Sequence, residues 1–297
     1  MSITEISGSA SFDVIVCGSL HLDIMLYAPH LPRPDETVAG QRWGQQCGGK
    51  GGNQAVMAAR AGARTAMIGR VGDDDFGARL KHNLAAAGVD ARAVGVDPAA
   101  GSGMSAAIVQ DDGDYGAVIV SGANLLIDAA GLADNWRALG GARVLVLQNE
   151  VPESVNIAAA MVARAAGASV ILNAAPARAM SDALLSAIDV LVVNRVEAAI
   201  LSGCEVFDRD SAFAALKALV APGRSVIVTL GGAGVVTLPA GATPIFTPPK
   251  AVEVVSTHGA GDCFIGAFAA RIAKGDRIDQ AAAFANDVAA DFVSRRH

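Results

Sequence analysis

Near the C-terminal end, Ser256-Thr257-His258-Gly259-Ala260-Gly261-Asp262-Cys263-Phe264 leads into a helical pattern with Phe264, Ile265, Phe268 and Ile272 on one face. The turn therefore opens a helix, where free N–H groups and the positive end of the dipole collect anions. Asp262 falls in that first turn, and two roles fit it. It can cap the helix, a contribution of about 0.5–2 kcal/mol. Or it can act as a general base beside an anion hole, taking the proton of a hydroxyl as that hydroxyl attacks phosphorus. The motif alone leaves both open.

A second glycine-rich run, Cys47-Gly48-Gly49-Lys50-Gly51-Gly52-Asn53-Gln54-Ala55, leads into a helix expected over residues 53–61. Its glycines let backbone approach a ligand, and Asn53 is placed to cap the helix. Gly51 rather than Ser or Thr follows Lys50, so this is not a Walker A loop. Nor does a strand run directly into G-x-G-x-x-G with an acid about 20 residues on, which argues against a nicotinamide dehydrogenase. Lys50 among four glycines can reach a polyol or a phosphate, or can simply be a solvated loop lysine.

Elements must bring these two motifs together. Short β-branched runs at 13–17, 65–69, 143–147, 169–172, 189–193 and 225–229 read as buried strands. Helical patterns at 53–61, 75–87, 153–166 and 210–220 alternate with them, the signature of βαβ units and a parallel sheet. Several strands run into polar residues: Gly18-Ser19, Gln148-Asn149-Glu150, Asn173, Asn194, and Gly231-Gly232 after Thr229-Leu230. Ligands of open parallel sheets bind beyond the carboxyl ends of strands, so Glu150 and Asn194 are the first candidates there.

Two stretches break the rhythm. One, about 23–43, alternates and carries Pro29, Pro32 and Pro34. The other, 104–121, reads as a hairpin turning at Asp111-Asp112-Gly113-Asp114. Both fit a half-exposed second layer that lids one end of the core, although plain surface hairpins fit as well.

The bulk composition narrows the class. Of 297 residues, 52% are hydrophobic and 18% charged, enough to bury a large core and to exclude disorder. Aromatics make up only 4% against 33 glycines, which suits close helix-on-sheet packing. A formal charge of −6 argues against nucleic-acid or anionic-membrane partners, so any phosphate must be held by local N–H groups. Cys17, Cys47, Cys204 and Cys263 are scattered, without C-x-x-C spacing, and read as small buried hydrophobes of a reducing compartment. Residues 1–12 lack the pattern of a signal peptide, and no apolar run approaches the ~18 residues of a membrane span. A cytoplasmic protein is the expectation.

Taken together, these stretches resemble the ribokinase-like (PfkB) family of carbohydrate kinases, from Asp13 to about Phe292. The resemblance rests above all on residues 48–55 and on Gly259–Asp262. Leu31-Pro32-Arg33-Pro34 with Glu36-Thr37, Gly122-Ala123-Asn124, Asn173-Ala174-Ala175-Pro176-Ala177, and Asn194 with Glu197 also fit. It implies one α/β kinase domain over 1–297: a Rossmann-like parallel-sheet core of three layers with a small β lid. It implies transfer of the γ-phosphoryl group of ATP, with Mg²⁺, to a primary hydroxyl of a free sugar, with ribose expected. By motif position Asp262 would be the base, and the N–H groups of Gly259, Ala260 and Gly261 the anion hole. His21, Asp23, Gly49, Lys50, Asn53 and Glu150 would hold sugar hydroxyls. Asn194, Thr229, Gly231 and Gly234 would lie along the nucleotide, and Glu197 would order Mg²⁺ through water. Lid strands of related kinases also pair between subunits, which allows a homodimer here.

The chain departs from the family pattern in three places. His21 stands where the family usually has Asn, a change that bears on which sugar fits. Ser256 stands where an acid helps hold an activating monovalent cation, and the sequence stops at Arg295-Arg296-His297, where the family commonly continues. Weak or absent K⁺ activation is therefore expected. A nucleoside or pseudouridine kinase of the same family, and a sugar-binding relative without catalysis, remain the alternatives.

Overall fold

The computed structural model describes residues 10–111 and 114–295. Asp112 and Gly113 of the expected hairpin turn, Arg296 and His297, and nearly all of the segment read for a leader lie outside the described residues.

The chain opens with β1 (Phe12–Cys17), β2 (His21–Tyr27), β3 (Arg42–Gly48), α1 (Lys50–Arg60), β4 (Thr65–Gly72) and α2 (Asp75–Ala86). It continues through β5 (Asp90–Asp97), β6 (Gly103–Val109), β7 (Tyr115–Val120), α3 (Leu132–Leu139) and β8 (Ala142–Gln148). Next come α4 (Glu153–Ala165), β9 (Ser169–Asn173), α5 (Asp182–Ala187), β10 (Val190–Asn194), α6 (Arg195–Ser202) and α7 (Arg209–Leu219). The last elements are β11 (Ser225–Thr229), β12 (Val235–Leu238), β13 (Ile245–Thr247), α8 (Ala260–Ala273) and α9 (Ile278–Val293).

Nine strands form one sheet in the order β13-β12-β11-β10-β9-β8-β1-β4-β5. From β5 through β11 neighbouring strands pair in parallel, while β12 and β13 add antiparallel edges. Strand alternation splits the core between the two faces. Val14, Val16, Val144, Val146 and Ile171 pack against α1, α8 and α9; Ile15, Cys17, Leu145, Leu147 and Leu172 pack against the helices of the other face. Both faces are thus covered, the reason these strands read as unbroken apolar runs. This is the expected three-layer α/β architecture. No helix among the described residues is long and apolar enough to cross a membrane.

A second sheet has the order β3-β2-β6-β7. Its central pair, β2 and β6, is parallel, with His21 opposite Gly103 and Asp23 opposite Ser105. The outer pairs are antiparallel. Within the proline-bearing stretch only the two ends are strand; residues 28–41 between β2 and β3 are not. Asn124 ties this sheet to the core: it accepts from the Leu20 N–H at 2.8 Å and donates to the Leu20 carbonyl at 2.9 Å.

Candidate active site

The glycine run does more than precede a helix. α1 begins at Lys50, inside the run, after Gly49 at φ 82°, a left-handed conformation that favours glycine. A Cβ on Gly49 would stand 2.7 Å from the His21 nitrogen, and one on Gly51 2.6 Å from the Ser19 nitrogen. The first turn of α1 therefore lies directly on the β1–β2 connection. Glu150, at the end of β8, is drawn to this helix N-terminus: it accepts from the Lys50 N–H at 2.9 Å and from the Ser19 hydroxyl. Asn53, expected as the cap, lies within the first turns instead, because Gly49 already occupies the capping position. Its side-chain amide donates to Asp262 Oδ2 at 3.0 Å.

Asp262 does not cap α8 either. Gly259 is the N-cap, at φ 76°, with no side-chain capping bond. The carboxylate turns instead toward α1, where Gln54 donates to Oδ1 at 2.9 Å. Gly266, one turn on, makes this approach feasible. A Cβ there would lie 2.6 Å from the Ala58 nitrogen and 2.7 Å from the Gln54 carbonyl oxygen. Burial pushes the Asp262 carboxyl above its usual range, against the pull of the Lys50 ammonium and the two amide donors.

Around this carboxylate a cavity of about 200 Å³ is lined by Lys50, Asn173, Asn194, Glu197, Thr229, Gly259 and Gly261. Adjacent parallel strands put Asn194 opposite Thr229 in register. Asn194 and Glu197 form a reciprocal capping box at the start of α6, with bonds of 2.8 and 2.9 Å. Glu197 is buried, and its carboxyl is also raised, chiefly by desolvation, with the nearby Asp262 charge adding to the effect.

A second cavity, of about 300 Å³, is lined by His21, Ser121, Asn149, Glu150 and Arg178, with Ile119 of the small sheet at its edge. Three buried atoms of its lining residues, His21 Nε2, Asn149 Oδ1 and Arg178 Nε, have no hydrogen-bond partner among the described residues. Buried polar groups left unpaired cost free energy, and a polyhydroxylated ligand would supply their partners.

The structure thus brings His21, Lys50, Asn53, Glu150, Asn194, Glu197, Thr229, Gly259, Gly261 and Asp262 to the carboxyl ends of the strands. Ala260 follows the N-cap, with its N–H on the Thr257 carbonyl at 3.2 Å. Asp23 lies on β2, accepts from Ser105 Oγ and rests against Gly48. Gly231 and Gly234 lie in neither cavity. They shape the turn between β11 and β12, and a Cβ on Gly234 would meet the Thr247 carbonyl at 2.4 Å. Sequence reasoning assigned no role to Gln54 or Arg178. The place of Gln54 beside Asn53, opening a helix from a glycine run, was its only local signal.

The family model of pfkB family carbohydrate kinases matches residues 11–297. A ribokinase of Haemophilus influenzae is 34% identical over 282 residues, 95% of this chain and 92% of that protein. A deoxyribokinase of Salmonella typhi is 33% identical over 259 residues, 86% of this chain and 84% of that one. In structure, Arabidopsis thaliana ribokinase complexed with ribose and ATP is similar at a TM-score of 0.87 and 29% identity, covering 96% of this chain and 94% of that one.

Proposed function

The chain belongs to the pfkB family of carbohydrate kinases, and from that premise we propose that it phosphorylates ribose at its primary hydroxyl, using ATP and Mg²⁺. The observation that carries this reading is the position of Asp262, held by two side-chain donors of α1 at the N-terminus of α8, between the two cavities' charged residues Lys50, Glu150 and Glu197. The ribokinases among its relatives and the likeness to a ribokinase complexed with ribose and ATP support the choice of substrates.

The sugar sits against His21, Asp23, Gly49, Lys50, Asn53 and Glu150, and its primary hydroxyl faces Asp262. As the hydroxyl oxygen bonds to the γ-phosphorus, its proton passes to the Asp262 carboxylate. The bond between phosphorus and the bridging oxygen breaks, and ADP carries away that electron pair. The amide N–H groups of Gly259, Ala260 and Gly261, with the dipole of α8, stabilise charge on the transferring group. Ala260 serves once its N–H leaves the Thr257 carbonyl. Asn194, Thr229, Gly231 and Gly234 lie along the nucleotide.

Among the described residues no three His, Cys, Asp or Glu side chains gather as a metal cage. That suits Mg²⁺, which keeps waters and is carried on phosphates with few protein contacts. Glu197, which lines the cavity beside Asp262, would hold its waters, and the ion would neutralise charge on the phosphates. Ser256, whose hydroxyl accepts from the His258 N–H at 3.3 Å, offers no charge for a monovalent cation.

The small sheet, with the stretches 23–43 and 104–121, acts as a lid on one kinase domain spanning 1–297, excluding water that would compete for the phosphoryl group. Its apolar outer strand β7 pairs two copies into a homodimer, and the enzyme works in the cytoplasm. An ADP-release assay over pentoses, 2-deoxyribose, hexoses and nucleosides, each in Na⁺ and in K⁺, tests the proposal. Turnover should be greatest with ribose and change little between the two cations. Faster turnover of a nucleoside, or none with any sugar, overturns it.

A further inference from the structure

Asp262 is gripped asymmetrically. Asn53 donates to Oδ2 at 3.0 Å and Gln54 to Oδ1 at 2.9 Å, so consecutive residues of α1 take one oxygen each. The two donors differ in what else they can do. Asn53 is half-buried at the opening of α1, and among the described residues its amide nitrogen donates only to Asp262. Gln54 is fully buried, out of reach of any substrate. Its amide nitrogen also donates to Asn173 Oδ1 at 3.1 Å, and Asn173 in turn donates to the Val192 carbonyl at 3.4 Å. Orientation is therefore set by the backbone of β10, passed to Asn173 at the end of β9, and from there to Gln54. Gln54 Oε1 is buried without a partner among the described residues. Turning the amide over would aim that oxygen at two acceptors, so the fold keeps an unpaired oxygen in order to keep both hydrogens on Asp262 and Asn173.

We propose that Gln54 is the positioning residue of the Asp262 carboxylate, fixing Oδ1 so that Oδ2 is the oxygen that takes the proton. The inference rests on the reading of Asp262 as the base. When the sugar arrives, its hydroxyl replaces the Asn53 amide at Oδ2, while Gln54 does not move. Lys50, Glu150 and Glu197 act on the carboxylate through space, whereas Asn53 and Gln54 each bond one of its oxygens.

A double-mutant cycle tests this. Gln54→Met keeps the side chain's volume and removes its donors. It should lower kcat about 10- to 100-fold, the cost of a misplaced catalytic group, with the KM values for sugar and ATP within about threefold. Placed on Asp262→Asn, the same substitution should cost less than about threefold, because the group it positions is gone. Equal losses in both backgrounds, an unchanged kcat, or a loss confined to KM overturns the inference. If Asp262→Asn itself keeps wild-type turnover, the reading of the base fails instead, so the two failures are separable. Should Gln54→Met fail to fold, Asn173→Ala goes through the same cycle, read on kcat alone because Asn173 also lines the cavity, since it removes the acceptor that orients Gln54.

Discussion

As the proposed base, Asp262 would have to ionise in a place that resists charge, and the same burial that would make it a strong base would make it a late one. Its carboxyl is raised by desolvation, and only the ionised form accepts a proton. The acid limb of kcat/KM against pH should therefore lie above the ordinary carboxylate range of about 4, with activity lost as pH falls through it. Asp262→Asn should cost about 10²–10⁴ in kcat with sugar and ATP binding little changed; turnover within a few-fold of wild type would remove Asp262 from the role. Glu197 makes the complementary case. Its raised carboxyl means the free protein is most stable with that group protonated, and this contribution is lost as pH rises through the folded-state value. Glu197→Gln keeps an acceptor for the Asn194 N–H and removes the charge. Thermal unfolding at pH 8 should show a higher Tm for this variant, a gain that fades toward acid pH, together with slower phosphoryl transfer. An unchanged Tm at pH 8 would mean that the buried charge is already compensated.

At the scale of elements, the site depends on how closely α8 lies on α1. Gly266 is the contact point. A methyl there would meet backbone atoms of Ala58 and Gln54 at 2.6 and 2.7 Å. Overpacking of this kind costs typically about 1–3 kcal/mol, so Gly266→Ala should lower Tm by several degrees. It should also lower kcat more than the lost stability explains, because it pushes Asp262 away from its two donors. A lower Tm with kcat intact would separate the packing from the chemistry. Much of this layout was legible in the chain. β1, β8, β10 and β11 announce themselves as apolar runs because both faces of the sheet are covered. β5 did not, since Asp90, Arg92 and Asp97 interrupt it at a sheet edge, and neither did the four-residue β12 and three-residue β13. The motifs gave many of the residues that face the cavities, though not Arg178, and not their partners. Asn53 looked like a cap, and what it touches instead lies 209 residues away. Gln54 in an Ala-rich helix reads as an ordinary helix former, and only the crossing of α1 with α8 gives it a purpose.

For the molecule as a whole, the small sheet offers an outer strand with exposed apolar side chains. Val118 and Val120 of β7 are 66% and 50% exposed, side by side on one face, and β7 is an edge strand. Exposed apolar edges invite pairing with another chain. Sedimentation velocity should find a dimer for the wild type and a monomer for the Val118→Lys/Val120→Lys variant; a wild-type monomer would end the proposal. Gln54 leaves the ribosome 208 residues before the aspartate it holds. At about 5–20 residues per second that is a wait of roughly 10–40 s. Throughout it, the apolar face of α1 that α8 will cover, with Ala55 and Ala58 at its centre, stands open in the nascent chain. A polypeptide released before α8 is made would carry the residues proposed to hold the sugar yet neither the proposed base nor a closed core, so enzymatic activity in a cell would report complete synthesis as well as correct folding.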